Sequence, residues 1–272
     1  MLLYRIGSST ARLIGLFVYR CAPSLAEVPE RNLRALFPDI SEFKLQKTVR
    51  EFFRQQGQLL FELFYFSLFP DQIRRIVRFD ELDQELVKKA RSSGKAMIFL
   101  SMHLGNWELL GGALVAYGLP LTSIYLRARS ELQEKILNSY RDKVGIRLID
   151  HDNILGVLRL IRKKEVLGLI SDHDGGPNGI RLSWCGCDVS FPAGPARLSK
   201  RYGLPVVGIY LKRKKNGFHR IVLENLTSAN PDESVEDQSR RYLEFYDQVV
   251  RKVPEQWQLF YDRFKKRTYG LD

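Results

Sequence analysis

Residues 96–112, AMIFLSMHLGNWELLGG, decide how the rest of the chain is read. The apolar run Met97–Leu100 has the character of a buried strand, Ser101-Met102-His103 ends it, and Asn106 opens a helix carrying Trp107 and Glu108. A strand thus delivers a histidine to a helix start. On one continuous helix, the spacing of His103 and Glu108 would separate them by ~140°. They can meet only with His103 in the turn and Glu108 in the first helical turn. Asn106 suits the N-cap this requires, because its side-chain oxygen can accept from the free backbone N–H groups. A carboxylate on one imidazole nitrogen fixes the tautomer and leaves the other nitrogen as a base, which is how a hydroxyl is activated. His103 and Glu108 are therefore the expected catalytic pair; the alternative is a histidine capping a helix beside an exposed glutamate.

Working outward, strand-like runs occur at Ala96–Ser101, Leu121–Leu126, Val166–Ser171, Leu182–Val189, Leu204–Lys212 and His219–Leu223. Helical patterns fill Asn106–Tyr117, Glu131–Val144, Ile154–Lys163, Ala193–Tyr202 and Ser234–Lys252. This alternation predicts an α/β fold with a mixed, largely parallel central sheet flanked by helices. Before Gly94 the pattern is helical: Met1–Ala22, Arg31–Pro38, and a long stretch from Ser41 to about Phe69. The expected organisation is an N-terminal helical, membrane-associating segment over residues 1–92 and an α/β domain over residues 93–272, built as one structural unit.

Two features of the helical part bear on membranes. Arg5, Arg12 and Arg20 interrupt the first segment and fall within about 80° of each other on a helix, leaving a broad apolar remainder. Such a helix lies in the membrane interface or packs on the domain, and its uncharged runs are shorter than the ~20 residues a span needs. The run LLFELFYFSLF (Leu59–Phe69) is apolar on nearly every side, so it belongs in a core or on a membrane-facing platform.

Lys and Arg number 43 against 31 Asp and Glu, a net charge of +12, so the expected partners are anionic. Cys21, Cys185 and Cys187 form a poor disulfide framework, and Cys-x-Cys without a second cluster is a weak metal site. Arg127 and Arg129 follow a strand, and Arg141 comes one helix later; guanidinium groups there could fork onto a phosphate or carboxylate. Asp172-His173-Asp174 ends the next strand beside a Gly-rich turn, placing carboxylates where they can orient another group. No further ligand cluster supports a metal there, and none is expected. Gly194 sits in FPAGPA at a helix start, which reads as a tight turn or as an acceptor of an anionic or carbonyl group. No G-x-S-x-G elbow, P-loop or G-x-G-x-x-G loop is present, which weakens hydrolase, nucleotidyl and dehydrogenase readings. No recognition helix or stacking motif accompanies the basic residues, so nucleic acid is not an expected partner.

Taken together, these motifs resemble the bacterial lipid A biosynthesis acyltransferases, the lauroyl and myristoyl transferases of the lysophospholipid acyltransferase superfamily. The matching residues are Arg31-Asn32-Leu33 with Phe37-Pro38, the run from His103 through Asn106-Trp107-Glu108, Tyr125 to Arg127, and Arg141 with Gly145. They continue through Asp172-His173-Asp174, Gly186, Phe191 to Ala196, and Pro254 to Trp257 with Arg263, Lys265 and Arg267. The resemblance implies a glycerolipid acyltransferase-like fold and an enzyme needing no cofactor. In it His103 is the base, Glu108 its partner, Arg127 and Arg141 hold donor or acceptor, and Asp172 or Asp174 shapes the site. Asn106 and Gly194 complete the expected substrate-binding set. It further implies an acyl carrier protein or acyl-coenzyme A donor, a phosphorylated glycolipid acceptor, and residence at the cytoplasmic face of the bacterial inner membrane. Related mannoside acyltransferases leave the acceptor open. The alternative from another class is a non-catalytic peripheral protein that binds anionic lipid on the same fold.

Overall fold

The computed structural model describes residues 2–126, 130–214, 216–230 and 232–265. In chain order, helices α1 (Leu2–Cys21), α2 (Glu27–Leu36) and α3 (Glu42–Leu68) come first. A short turn of helix, α4 (Ile73–Ile76), runs into strand β1 (Val77–Arg78), and α5 (Glu81–Arg91) follows. Strands and helices then alternate: β2 (Met97–Ser101), α6 (Trp107–Ala116), β3 (Thr122–Tyr125), α7 (Glu131–Val144), β4 (Arg147–Asp150), α8 (Ile154–Arg162) and β5 (Val166–Ile170). The hairpin β6 (Ile180–Trp184) and β7 (Cys187–Phe191), helix α9 (Gly194–Tyr202), strands β8 (Val206–Arg213) and β9 (His219–Asn225), and helix α10 (Val235–Lys252) complete the chain.

The main sheet has the order β1-β9-β8-β2-β5-β3-β4. Strands β8, β2, β5, β3 and β4 run parallel, whereas β9 is antiparallel to β8 and carries β1 beside it. Every residue of β2 is buried, because helices cover both faces of the sheet; this is why the strand reads as an unbroken apolar run. The core on one face unites Leu33, Leu45 and Phe52 with Ile98 and Leu100. The other unites Leu63 and Phe66 with Phe99 and Leu109, so packing is continuous across the join near Gly94.

The mixed, largely parallel sheet agrees with expectation, and two local departures have simple causes. The segment expected as one strand over Leu182–Val189 is the β6–β7 hairpin, turned at Cys185 and Gly186 with φ of 54° and 73°. Positive φ at both central residues is what a tight two-residue hairpin turn demands. The short strands β1 and β4 and the helix α5 were not anticipated; β1 is two residues long and β4 four, too few to show a periodicity.

Helices α1 and α3 are in backbone contact. Tyr4, Ser8, Ala11 and Gly15 form the buried face of α1. A Cβ on Gly57 would stand 2.1 Å from the Ala11 carbonyl oxygen, and one on Gly15 would stand 2.1 Å from that of Phe53. The pairing leaves Leu3, Ile6, Leu13, Ile14 and Phe17 of α1 exposed, together with Leu60, Phe64 and Leu68 of α3. Among the described residues, no helix is long and apolar enough to cross a membrane.

The one charge in the apolar run of α3, Glu62, is fully buried and is the hub of a polar network. Its carboxylate accepts from Tyr4 Oη (2.8 Å), Gln58 Nε2 (3.1 Å), Arg213 Nη2 (2.8 Å) and Asn106 Nδ2 (2.9 Å), and bonds His219 Nε2 at 2.9 Å. Burial alone would raise this carboxyl, but Arg213 and His219 hold it well below the usual carboxylate range. The network ties α1, α3, β8 and β9 to the turn that follows β2. Gly57→Leu should therefore cost about 1–3 kcal/mol of stability by overpacking the helix contact. Glu62→Gln should cost about 3–5 kcal/mol by stranding Arg213 in the interior. Urea unfolding midpoints of the two variants against wild type check both values.

Candidate active site

Strands β2 and β5 are parallel neighbours with Ser101 opposite Ile170. His103 and Asp172 each lie two residues beyond that pair, so the chain leaves the carboxyl ends of adjacent strands with both side chains at the same level. This is the end of a parallel sheet where ligand groups gather. Asp172 Oδ1 lies 2.6 Å from His103 Nδ1, and Oδ2 accepts from the His103 backbone N–H at 3.1 Å and from Trp257 Nε1 at 2.9 Å. Burial would raise the Asp172 carboxyl, but the facing His103 ring and the Trp257 donor hold it well below the usual range. An ionised Asp172 makes Nδ1 the protonated nitrogen and leaves Nε2 with its lone pair. The His103 side chain is 21% exposed, and Nε2 has no hydrogen-bond partner among the described residues.

The turn carrying His103 is shaped by its neighbours. Gly105 has φ of +65°, and a Cβ there would meet the Leu211 carbonyl oxygen at 2.1 Å, so only glycine fits. Asn106 caps α6 as expected, accepting from Leu109 N at 2.9 Å, while its amide donates to Glu62. From the tail, Gln256 O accepts from Gly105 N (2.7 Å) and Gln258 N donates to His103 O (2.8 Å). Asn32 in turn holds the tail, donating to the carbonyls of Leu259 and Tyr261. That contact sets Tyr261 in a stack of three rings: His103 on His173 at 4.0 Å between centroids, and His173 on Tyr261 at 3.9 Å. Trp107 meets the His103 ring edge-on at 5.1 Å.

The expected pairing of Glu108 with His103 is not formed. Glu108 instead takes a two-pronged bond from Arg141, with Nη2 at 2.5 Å and Nε at 2.8 Å. The reason is geometric: residues close in sequence diverge once a helix begins, whereas adjacent strand ends bring Asp172 to His103 from 69 positions away. Glu108 and Arg141 border an apolar cavity of about 60 Å³, lined by Phe99, Leu110, Leu114, Leu121, Leu148 and Ile209.

The remaining expected residues separate. Asp174 accepts from Gly176 N at 2.7 Å and so closes its own turn, while its backbone N–H donates to Tyr261 Oη. Gly194 opens α9, with open space where a Cβ would stand. Arg127 and Arg129, with Arg267 of the tail, lie outside the described residues. His103, Asp172 and His173 offer ligand atoms within 4.8 Å of one another. In-plane lone pairs of two stacked rings cannot converge on one ion, and Asp172 already accepts three hydrogen bonds, so the cluster fits a hydrogen-bonded His103–Asp172 pair better than a metal.

Sequence reasoning missed the chemistry of Trp257, His173, Tyr261 and Glu62. Only Glu62 had a local signal, as a lone charge in an apolar helix. Burial, with repulsion from His103, pushes His173 down to about 4, so it stays neutral in the fold while the unfolded chain takes up a proton near pH 6.5. The unfolded state then binds more protons, so stability falls as pH drops from about 6.5 towards 4. His173→Phe keeps the stack and should flatten that slope in urea unfolding measured across the interval.

Comparison with known proteins identifies the family. Residues 1–266 match the family model described as bacterial lipid A biosynthesis acyltransferase. The chain is 23% identical to the lipid A biosynthesis palmitoleoyltransferase of Escherichia coli (strain K12), covering 89% of this chain and 79% of that protein. It is also 23% identical to the lipid A biosynthesis lauroyltransferase of the same organism, covering 99% and 87%. A phosphatidylinositol mannoside acyltransferase of Mycolicibacterium smegmatis is 21% identical over 56% of this chain and 52% of that protein. A family match over nearly the whole chain, with the His103 turn at the carboxyl end of its central strand, makes this protein a member of the bacterial lipid A biosynthesis acyltransferases.

Proposed function

We propose that the protein transfers a fatty acyl chain from an acyl thioester, carried by acyl carrier protein or coenzyme A, to a hydroxyl of a lipid A precursor or closely related glycolipid. The observation that carries this reading is the open Nε2 of His103, with Asp172 on Nδ1 and Trp257 behind Asp172. Nε2 removes the proton of the acceptor hydroxyl as its oxygen attacks the thioester carbonyl. The C–S bond breaks as the tetrahedral adduct collapses, and the thiolate takes the proton back from His103. Asp172 stabilises the imidazolium that forms between these steps, so no acyl-enzyme is required. General-base help of this kind is worth ~10²–10⁴ in rate.

Glu108 keeps a place in the site through Arg141. The pair forms the polar wall of the apolar cavity, where Arg141 can face the developing charge while Glu108 holds its guanidinium in register. Arg127 is proposed as a second cation for donor or acceptor, and Asp174 and Gly194 as parts of the surrounding wall. The exposed apolar side chains of α1 and α3 favour peripheral seating on the cytoplasmic face of the inner membrane, where the +12 charge meets anionic lipid.

Purified protein given acyl thioester and glycolipid should release free thiol. His103→Ala should abolish release with an unchanged circular dichroism spectrum. Unchanged turnover in that variant would remove His103 as the base, whereas no release from the wild type would favour the non-catalytic lipid-binding reading. Asp172→Asn should lower kcat by ~10²–10⁴ with little change in KM, because it disturbs the tautomer and not substrate contact. Glu108→Gln should lower kcat in the same thiol assay by less than Asp172→Asn does, because it loosens the guanidinium that faces the developing charge and leaves the base in place.

A further inference from the structure

A groove of about 950 Å³ lies between α1, α3 and the turn joining β8 to β9, distinct from the apolar cavity beside Glu108. Its position relative to the catalytic turn follows from strand register. Strand β8 runs parallel to β2 with Gly208 opposite Leu100, and it continues five residues further to Arg213. The β8–β9 turn therefore projects past the same end of the sheet at which His103 stands. Gln256 forms part of the groove wall, and its backbone oxygen holds Gly105 at 2.7 Å, so only one residue separates groove and catalytic turn.

The lining has two kinds of chemistry. Arg5, Lys47 and Lys214 are exposed at its rim and have no ion-pair partner among the described residues. Arg12 and Arg54 add charge, but both are shared with Glu51, the nearest acid besides Glu255. Between the cations stand hydroxyl and amide groups, among them Ser9, Thr48 and Asn216, the groups that bond sugar hydroxyls. On α1, the basic side that faces the groove adjoins the exposed apolar arc of Leu2, Ile6, Leu13 and Phe17. A ligand held here would have its polar part among cations and amides and its chains beside an apolar helix face.

We propose that this groove binds the phosphate-bearing saccharide head group of a glycolipid. A groove of this volume mixing cations with sugar-bonding groups fits a phosphorylated head group better than it fits a protein partner, whose interface would centre on an apolar core. The inference rests on the acyltransferase reading for the identity of the lipid as acceptor, but binding itself does not depend on turnover.

The test uses the full chain and phosphatidylcholine vesicles. These carry a phosphorylated disaccharide glycolipid, its dephosphorylated counterpart, or phosphatidylglycerol at matched charge. Wild type should bind the phosphorylated glycolipid more tightly than either control, and His103→Ala should bind as wild type does. Lys47→Glu combined with Lys214→Glu should weaken that binding about tenfold or more and raise the acceptor KM without lowering kcat. If charge reversal perturbs folding, Lys47→Gln with Lys214→Gln makes the same comparison. Equal binding to phosphatidylglycerol would overturn the proposal in favour of diffuse surface charge. Unchanged glycolipid binding in both double variants would also overturn it. Purified acyl carrier protein is titrated against the same variants, and a loss of its binding with glycolipid binding unchanged would likewise overturn the proposal and make the groove a protein dock. Absence of thiol release with the binding preference intact would overturn the proposed reaction and leave the groove standing.

Discussion

Asp172 carries three hydrogen bonds on two oxygens, and the functional end of the molecule depends on them. One goes to the ring of His103, one to its backbone and one to Trp257. A buried carboxylate is costly unless its lone pairs are used, and here the donors come from two distant parts of the chain, the His103 turn and Trp257 of the tail. The His103 turn, the end of β5 and the C-terminal tail are thereby held in one arrangement. The free nitrogen of His103 acquires a direction because its other nitrogen has a single, buried partner.

A second buried carboxylate, Glu62, supports the same turn through Asn106. Glu62 receives the amide of Asn106, whose oxygen caps the helix that follows His103. The same carboxylate binds Arg213 and Tyr4, so the first helix, the long third helix and the end of β8 meet at the His103 turn. The N-terminal helices are thus part of the site's foundation as well as its outer surface. Their close approach through Gly57 and Gly15 turns their apolar side chains outward, beside the basic groove.

The two pairs His103–Asp172 and Glu108–Arg141 divide the work that the H-x₄-E spacing assigned to one dyad. The first sets the tautomer of the proposed base; the second fixes a guanidinium at the edge of an apolar cavity. Stacking of His103 on neutral His173, and of His173 on Tyr261, adds a rigid side wall that the tail supplies through Asn32.

The alternation of apolar strands and amphipathic helices determined the α/β class by itself, because both periodicities are local. Local chemistry likewise determined the strand–turn–helix at His103 and the capping role of Asn106. The lone glutamate of α3 and the histidine of β9 were visible as residues but not as partners, since nothing within either segment points to the other. Which carboxylate meets His103 was decided only by tertiary structure. Strand order placed β5 beside β2, and parallel register brought Asp172 level with the imidazole, while the turn of α6 carried Glu108 to Arg141. Pairing between strands distant in sequence leaves no periodic trace, so the nearest carboxylate in the chain and the nearest in space are different residues.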